Sequence, residues 1–366
     1  MGWDIKKAGI EEDRDKILQL LKESFSGYWT ASQDIYTSDF WNWLYRDNTG
    51  GGSVNFIAED KEKVIGHFPN VLERLKVNEN IYKTGIVLHL TTHADYRNRG
   101  IFKNLGRVSI EELKKQGITF SFAFPNDKSR PGFINKLGFS SIATISLLVR
   151  PVNIKNTIKK IVKNPLLALL FYFILSPLYY MWFYHFGMQR KSNSVKIETK
   201  NSFGPEFDFL WKKAMAQAKV MVPRDSAFLN WRFMLRPNQR YHVFGALKNG
   251  ELAGYIVTRT ADVFSLKIGI IMDYFVLPGK DNIIEALVTK AIDNFKKDGV
   301  DLCITGCLKN NKYYSSLKNT GFVKAPERLN PRKLILVGRA NQDVADKTVF
   351  LNGKNWFLSF GDWDTF

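Results

Sequence analysis

The chain of 366 residues carries 53 Lys and Arg against 35 Asp and Glu, a formal net charge of +18, with 45% apolar residues and only 12 prolines. That length is more than one hydrophobic core usually serves, and that composition excludes a disordered or low-complexity chain, so two globular domains are the expectation. The charge favours anionic partners but does not choose among nucleotide cofactors, nucleotide-sugars, anionic lipid and RNA.

The N-terminus, Met1-Gly2-Trp3-Asp4, has no basic segment followed by an apolar run, so no secretory signal is expected and the cytoplasmic side is the default location. The first distinctive block is Phe40-Trp41-Asn42-Trp43-Leu44-Tyr45. A strand over 54–59, the polar turn Asp60-Lys61-Glu62-Lys63 and a strand beginning at Val64 follow it. A long strand over 81–92 then runs into His93-Ala94-Asp95-Tyr96-Arg97-Asn98-Arg99-Gly100-Ile101-Phe102 and an amphipathic helix to Lys115, with Gly117 as its C-cap. A buried strand over 118–123, the cluster Phe124-Pro125-Asn126-Asp127-Lys128-Ser129, and a helix ending in Gly138-Phe139 complete the first domain, 1–150.

Residues 151–200 depart from this pattern. Lysines 155, 159, 160 and 163 precede an almost wholly apolar run over 165–188 that is interrupted by Pro177 and rich in tyrosine. The favoured reading is a broken or hairpin helix in the cytoplasmic leaflet, with 155–191 in peripheral contact with an anionic membrane. A helix buried between the domains and a true span are the alternatives. Basic residues at both ends, including Arg190 and Lys191, argue against the span.

From 201 to 366 the first pattern returns. Phe228-Leu229-Asn230-Trp231-Arg232-Phe233 echoes the block at 40, Lys296-Lys297-Asp298-Gly299 echoes the helix end at 114–117, and Gly321-Phe322 echoes Gly138-Phe139, at spacings of 188, 182 and 183 residues. Near-constant spacing indicates a duplication. Strands mixed with helices in this order predict an α/β fold, an α+β mixed sheet with helices on its faces, formed twice in tandem and joined by the hydrophobic segment. Cys303 and Cys307 lie in a strand-like stretch with no histidine cluster nearby, so they read as buried thiols rather than a disulfide or metal site.

The stretch 93–102 is a strand end, a tight turn and a helix start. A diphosphate needs converging backbone N–H groups and positive potential, which the first turn of a helix supplies. Gly100 lets the main chain approach the phosphates, and Arg97 and Arg99 add charge at the rim. This stretch resembles motif A of the GNAT (Gcn5-related) acetyltransferases, in which Arg or Gln, two residues, Gly, one residue, and Gly or Ala place acyl-CoA pyrophosphate on the helix. Arg97 and Gly100 match, and Phe102 departs from the last position. The cluster from Asn126 to Phe139 resembles the family's motif B, along the pantetheine and thiol. The resemblance therefore implies two GNAT-like domains, with acetyl-CoA or another acyl-CoA held by Leu90, Thr91, Thr92, Arg97, Asn98, Arg99, Gly100, Ile101, Phe102, Asn126, Ser129 and Phe133, and no metal. The second repeat has no such loop and places Asp281 at its helix start, so its expected role is to complete the substrate cleft.

Acyl transfer to an amine needs a proton acceptor, donors for an oxyanion and an acid for the leaving thiolate. A backbone N–H near 90–92 would polarise the thioester. His89 is the first choice for the base, with His93 and His67 nearby, and a hydrogen-bonded structural role is the alternative for His89. His93 would otherwise orient the loop. The family's tyrosine acid is replaced by Phe133-Ile134, which leaves Ser129 or water for that task. Tyr313-Tyr314 and the segment 360–366 are candidates to reach the cleft from the second domain. The expected activity is acetyl transfer from acetyl-CoA to a primary amine, such as an amino-sugar for surface polysaccharide, at the inner face of the cell membrane. An aminoacyl-tRNA-dependent transferase of the same duplicated fold and a non-catalytic acyl-CoA-binding scaffold are the alternatives. The Arg97–Gly100 loop makes nucleic acid the less expected partner.

Overall fold

The computed structural model describes residues 2–25, 36–187, 195–263, 265–326 and 333–363. The first repeat comprises β1 (Asp4–Lys7), α1 (Arg14–Phe25), α2 (Ser38–Trp41), β2 (Ser53–Asp60), β3 (Lys63–Val77), β4 (Asn80–Val87), β5 (Thr91–Thr92), α3 (Ile101–Lys115), β6 (Phe120–Ala123), α4 (Arg130–Leu137) and β7 (Ser140–Pro151). Two helices follow, α5 (Ile154–Ile161) and α6 (Pro165–Gly187). The second repeat comprises β8 (Lys196–Lys200), α7 (Pro205–Ala214), β9 (Val220–Met221), α8 (Ser226–Leu229), β10 (His242–Lys248), β11 (Glu251–Val263), β12 (Leu266–Val276), α9 (Asp281–Lys297), β13 (Leu302–Leu308), α10 (Tyr313–Asn319), β14 (Val323–Lys324), β15 (Leu334–Ala340) and α11 (Lys347–Leu351). This is the mixed α/β architecture that the sequence predicts.

Local chemistry repeats along with the elements. At the end of α3, Gly117 adopts φ 73° and the Ile118 N–H reaches back to the Leu113 carbonyl at 2.9 Å. At the end of α9, Gly299 adopts φ 69° and the Val300 N–H bonds the Phe295 carbonyl at 2.9 Å. Both are left-handed caps that satisfy orphan carbonyls. The echoed aromatic blocks form the same structure too, a short helix (α2 or α8) continued by a wide π-helical turn, Asn42–Arg46 or Asn230–Met234. They also meet. The Trp43 indole N–H donates to the Trp231 carbonyl at 2.8 Å, Trp231 returns the bond to the Trp43 carbonyl at 2.9 Å, and the rings stack at 4.9 Å. Such reciprocity is the mark of a two-fold-related contact.

The strands form one sheet in the order β1-β2-β3-β4-β6-β15-β7-β13-β12-β11-β10-β8. The parallel pairs β4–β6 and β12–β13 occupy equivalent places, with the antiparallel pair β15–β7 between them. Strand β7 closes the first repeat in sequence yet pairs with β13 of the second, and β15 of the second pairs with β6 of the first. The repeats anticipated at 1–150 and 201–366 thus exchange their closing strands. Polar contacts add to this interlock: the Arg74 guanidinium holds Asp225 through two bonds of 2.7 and 3.0 Å, and Asp346 accepts from Asn78, Asn80 and Tyr82 around the β3–β4 turn.

Helix α6 continues through Pro177 instead of breaking there. It is not buried between the repeats, because most of its apolar side chains are exposed. Among the described residues no helix is long and apolar enough to cross a membrane. The side chains of 182–187 and all of 188–191 lie outside the described part.

Candidate active site

Strands β4 and β6 run parallel as far as the pair Val87–Ala123 and no further. Against β3, β4 pairs in the register Val71–Ile86, whereas β5 resumes as His67–Thr91, one residue out of step. The extra residue is a bulge in the 88–90 segment, where His89 has φ 49°, an uncommon conformation for a residue with a Cβ. The bulge interrupts the long strand expected over 81–92 and breaks the alternation of an extended strand. Leu88 packs toward the α1–α2 side and His89 faces Tyr45 and Phe40 on that same side, while Leu90 packs toward α3. The sheet therefore opens where 88–92 and 124–126 diverge, a wedge whose edge carries main-chain groups released from strand pairing.

Helix α3 begins at the mouth of this wedge. The loop before it is pinned on its outer side: Tyr96 donates to Asp60 at 2.7 Å, and His93 Nε2 lies 3.0 Å from the Lys63 ammonium and 3.4 Å from Glu23. The His93 ring is thus engaged by charged neighbours on the outer side of the loop. Asn98 and Gly100 take positive φ values of 63° and 84°, and Gly100 is the N-cap. A Cβ at Gly100 would meet only Asn104 Nδ2, at 3.7 Å, so open space lies outside this turn. The first N–H groups of the helix, at Ile101, Phe102 and Lys103, have no acceptor within the helix. Arg97 is exposed, and Arg99 leans over the Tyr96 ring at 5.0 Å. The Ile101 side chain is core, so only its backbone faces the turn.

Phe102, the departure from motif A, does not narrow this space. Its ring packs inward, 5.9 Å from Phe68 and 5.4 Å from Phe133. It lies so close to α4 that a Cβ on Gly132 would come within 2.7 Å of it. The bulky residue on α3 and the missing side chain on α4 are complementary. Gly132→Ala is expected to push Phe102 toward the helix N-terminus and weaken acyl-CoA binding several-fold. Gly132→Ala/Phe102→Ala should recover it, with a coupling of about 1 kcal/mol by titration calorimetry in a double-mutant cycle.

Asn126 and Ser129 lie together at the start of α4. Asn126 Oδ1 accepts from the N–H groups of Lys128 and Ser129, at 3.0 and 2.9 Å, and the Ser129 hydroxyl turns back to it at 3.2 Å. Both therefore shape the helix start. Phe133 is 2% exposed within the α3–α4 core, so its side chain serves packing and not cofactor contact.

On the opposite side of the wedge, the repeats enclose a cavity of about 30 Å³, room for a water or two, lined by Trp43, Glu73, Leu88, Trp231, Asp362 and Trp363. The segment at 359–363 thus reaches the cleft, with Trp363 4.4 Å from Phe124; 364–366 lie outside the described residues. Tyr313 does not reach it, being fully buried and bonded to Gln217 and Val276. Glu73 was missed by the sequence reading. It is 6% exposed, and burial pushes its carboxyl up to about 7, an effect that the Arg74 N–H at 2.8 Å only partly offsets. The available signal was its phase: Glu73 lies on the same strand face as His67, Val71 and Leu75, where a core residue is due.

His89 Nδ1 is hydrogen-bonded to the Tyr45 hydroxyl at 3.0 Å. His67 is fully buried, and burial, helped by His89, drives its imidazole down to about 3, so it stays neutral. In the second repeat Asp273 occupies the bulge position equivalent to His89 and joins Arg224, Ser359, Tyr255 and Asp362 in a buried network. Burial opposes charge there, but Asp273 and Asp362 keep Arg224 protonated. The N-cap of α9 is Lys280 with φ −119°, so the second repeat has no glycine at the N-cap itself, its left-handed glycine being Gly279 one residue earlier; the Asp281 side chain lies outside the described residues. Cys303 and Cys307 are buried free thiols, Cys307 pushed up to about 12 by burial. Among the described residues no group of His, Cys, Asp and Glu could hold a metal ion.

Residues 4–142 match the family model described as an acetyltransferase (GNAT) domain. No curated protein sequence matches the chain. Among solved structures, a GCN5-related N-acetyltransferase from Anabaena variabilis is similar with a TM-score of 0.64 at 12% identity, over 93% of this chain and 73% of that one. A tandem GNAT protein from the clavulanic acid biosynthesis pathway matches with a TM-score of 0.60 at 13% identity, over 93% of this chain and 99% of its own. Saccharomyces cerevisiae N-myristoyltransferase with bound myristoyl-CoA matches with a TM-score of 0.59 at 12% identity, over 94% and 83%. At these identities the likeness is one of fold.

Proposed function

From a chain that is a GNAT-family protein, with its GNAT domain at 4–142 and the fold of a tandem member, we propose an acyl-CoA-dependent N-acyltransferase that moves an acetyl group to a primary amine. The observation that carries this reading is the wedge itself: an opened sheet edge beside a helix whose glycine N-cap leaves its N–H groups facing open space. Gly100 and the first turn of α3 would hold the diphosphate, with Arg97 at the rim and Asn98 shaping the turn. The main chain at Leu90, Thr91 and Thr92 would align the pantetheine and polarise the thioester carbonyl.

The amine would enter from the cavity side, where Glu73 and the Tyr45–His89 pair are the groups able to take its proton. Glu73 is the better base, because a carboxyl held near 7 is half ionised at working pH, whereas His89 is committed to Tyr45. An amino-sugar of surface polysaccharide, met at the inner face of the membrane, is the acceptor class to test first. The test is release of free CoA thiol by the full chain, with acetyl- and longer acyl-CoA, across a panel of amines and amino-sugars. Turnover with at least one amine is expected; tight acyl-CoA binding without turnover on any acceptor would leave a binding protein in its place.

A further inference from the structure

Helix α6 meets the rest of the molecule along one narrow stripe. Ala168, Tyr172, Ser176 and Tyr179 fall on one side at helical spacing; Ala168 and Ser176 are buried, and the Tyr179 hydroxyl donates to the Pro151 carbonyl at 3.2 Å. Everything else described on the helix is apolar and exposed, from Leu166 at 77% through Leu170, Phe173 and Ile174 to Met181 at 66%. At about 100° per residue these positions sweep roughly two thirds of the circumference. A helix apolar on nearly all sides is normally inside a large core or in lipid, and here no protein core surrounds it.

The neighbouring α5 supplies the second observation. It packs against α6, keeps Thr157 and Ile158 inward, and exposes Lys155 and Lys159, with Lys163 exposed just beyond it. Lys160 is held by Asp301 at 2.7 Å. No aspartate or glutamate occurs anywhere between Asp127 and Glu198. Topology limits what such a segment can do: β7 before it and β8 after it belong to the same sheet, so the chain enters and leaves on one side.

We infer that α5 and α6 form a one-sided anchor that seats this chain on an anionic lipid bilayer, α6 within the headgroup and acyl boundary and the three lysines on the phosphates. A bilayer is the occupant that fits. A second copy or a protein partner covers one face of a helix, a stripe of about 100°, whereas lipid covers the whole exposed arc. Unbroken positive charge beside it selects anionic headgroups. This inference stands apart from the acyl-transfer reading, since none of these residues lines the wedge.

The experiment is flotation of the purified full chain with vesicles of phosphatidylcholine alone or mixed with phosphatidylglycerol. Partition into the mixed vesicles is expected to be stronger by on the order of a hundredfold, and Lys155→Glu/Lys159→Glu/Lys163→Glu to lose most of that difference. Because both native cysteines are buried, Leu170→Cys can carry an environment-sensitive fluorophore. Its emission should shift to the blue on mixed vesicles, while the same label at Glu62→Cys, on the β2–β3 turn, should not move. Absence of flotation, equal shifts at both sites, or a concentration-dependent dimer that buries the Leu170 label without lipid would each overturn the inference.

Discussion

Gly100→Glu is expected to abolish acyl-CoA binding while leaving the fold intact. The position has φ 84°, so any L-residue there carries backbone strain of about 1–2 kcal/mol, a loss that a chain of this size absorbs. No clash adds to it, since a Cβ would have only Asn104 Nδ2 within 4 Å. What changes is the electrostatics. A carboxylate would sit at the helix N-terminus where a diphosphate is otherwise welcome, both filling the space and repelling the ligand. The loss should exceed about a hundredfold in affinity by titration calorimetry. Gly100→Asn separates the causes, because asparagine tolerates the left-handed region, so it should lose far less. Wild-type affinity in the glutamate variant would remove the loop from the cofactor site.

Glu73→Gln is the second large effect. If Glu73 accepts the amine proton, kcat/KM of the native enzyme rises with pH around 7, and the glutamine variant loses about 10²- to 10⁴-fold together with that limb of the profile. If instead the limb survives in Glu73→Gln and vanishes in His89→Asn, the base is His89. Stability gives an independent reading. Folded Glu73 keeps its proton up to about 7, while an exposed glutamate releases it near 4.5, so the folded state binds more protons in that window. Native stability should therefore fall as pH rises from 4.5 to 7, by an amount on the order of 3 kcal/mol. Glu73→Gln should flatten that slope and melt at a higher temperature than the native protein at pH 8.

The duplicated α/β fold was legible because it is written in local signals. The helix-stopping glycines Gly117 and Gly299, which lie one residue past the C-caps Gln116 and Asp298, and the aromatic blocks at 40 and 228 need no long-range information, and both pairs form matching structures. The glycine turn before α3 was legible for the same reason. Partner choice was not: β7 alternates no differently when it pairs with its own repeat or with the other, so the strand exchange left no mark in the sequence. The bulge at His89 was hidden because it depends on how β4 and β5 register on β3. Glu73 went unnoticed because its raised pKa comes from a cavity that two distant segments close, and the complement of Phe102 was not legible because Gly132 lies thirty residues away on another helix.

The exchanged strands also bear on how the molecule is made. As the chain leaves the ribosome, β6 emerges with its outer edge bare, and its partner β15 is not synthesised until roughly two hundred residues later, well after the apolar run of α6 has been exposed. The sheet of the first repeat therefore lacks the strand beyond β6 until β15 has been made. A product cut short before 334 leaves β6 with an unpaired strand edge that invites aggregation.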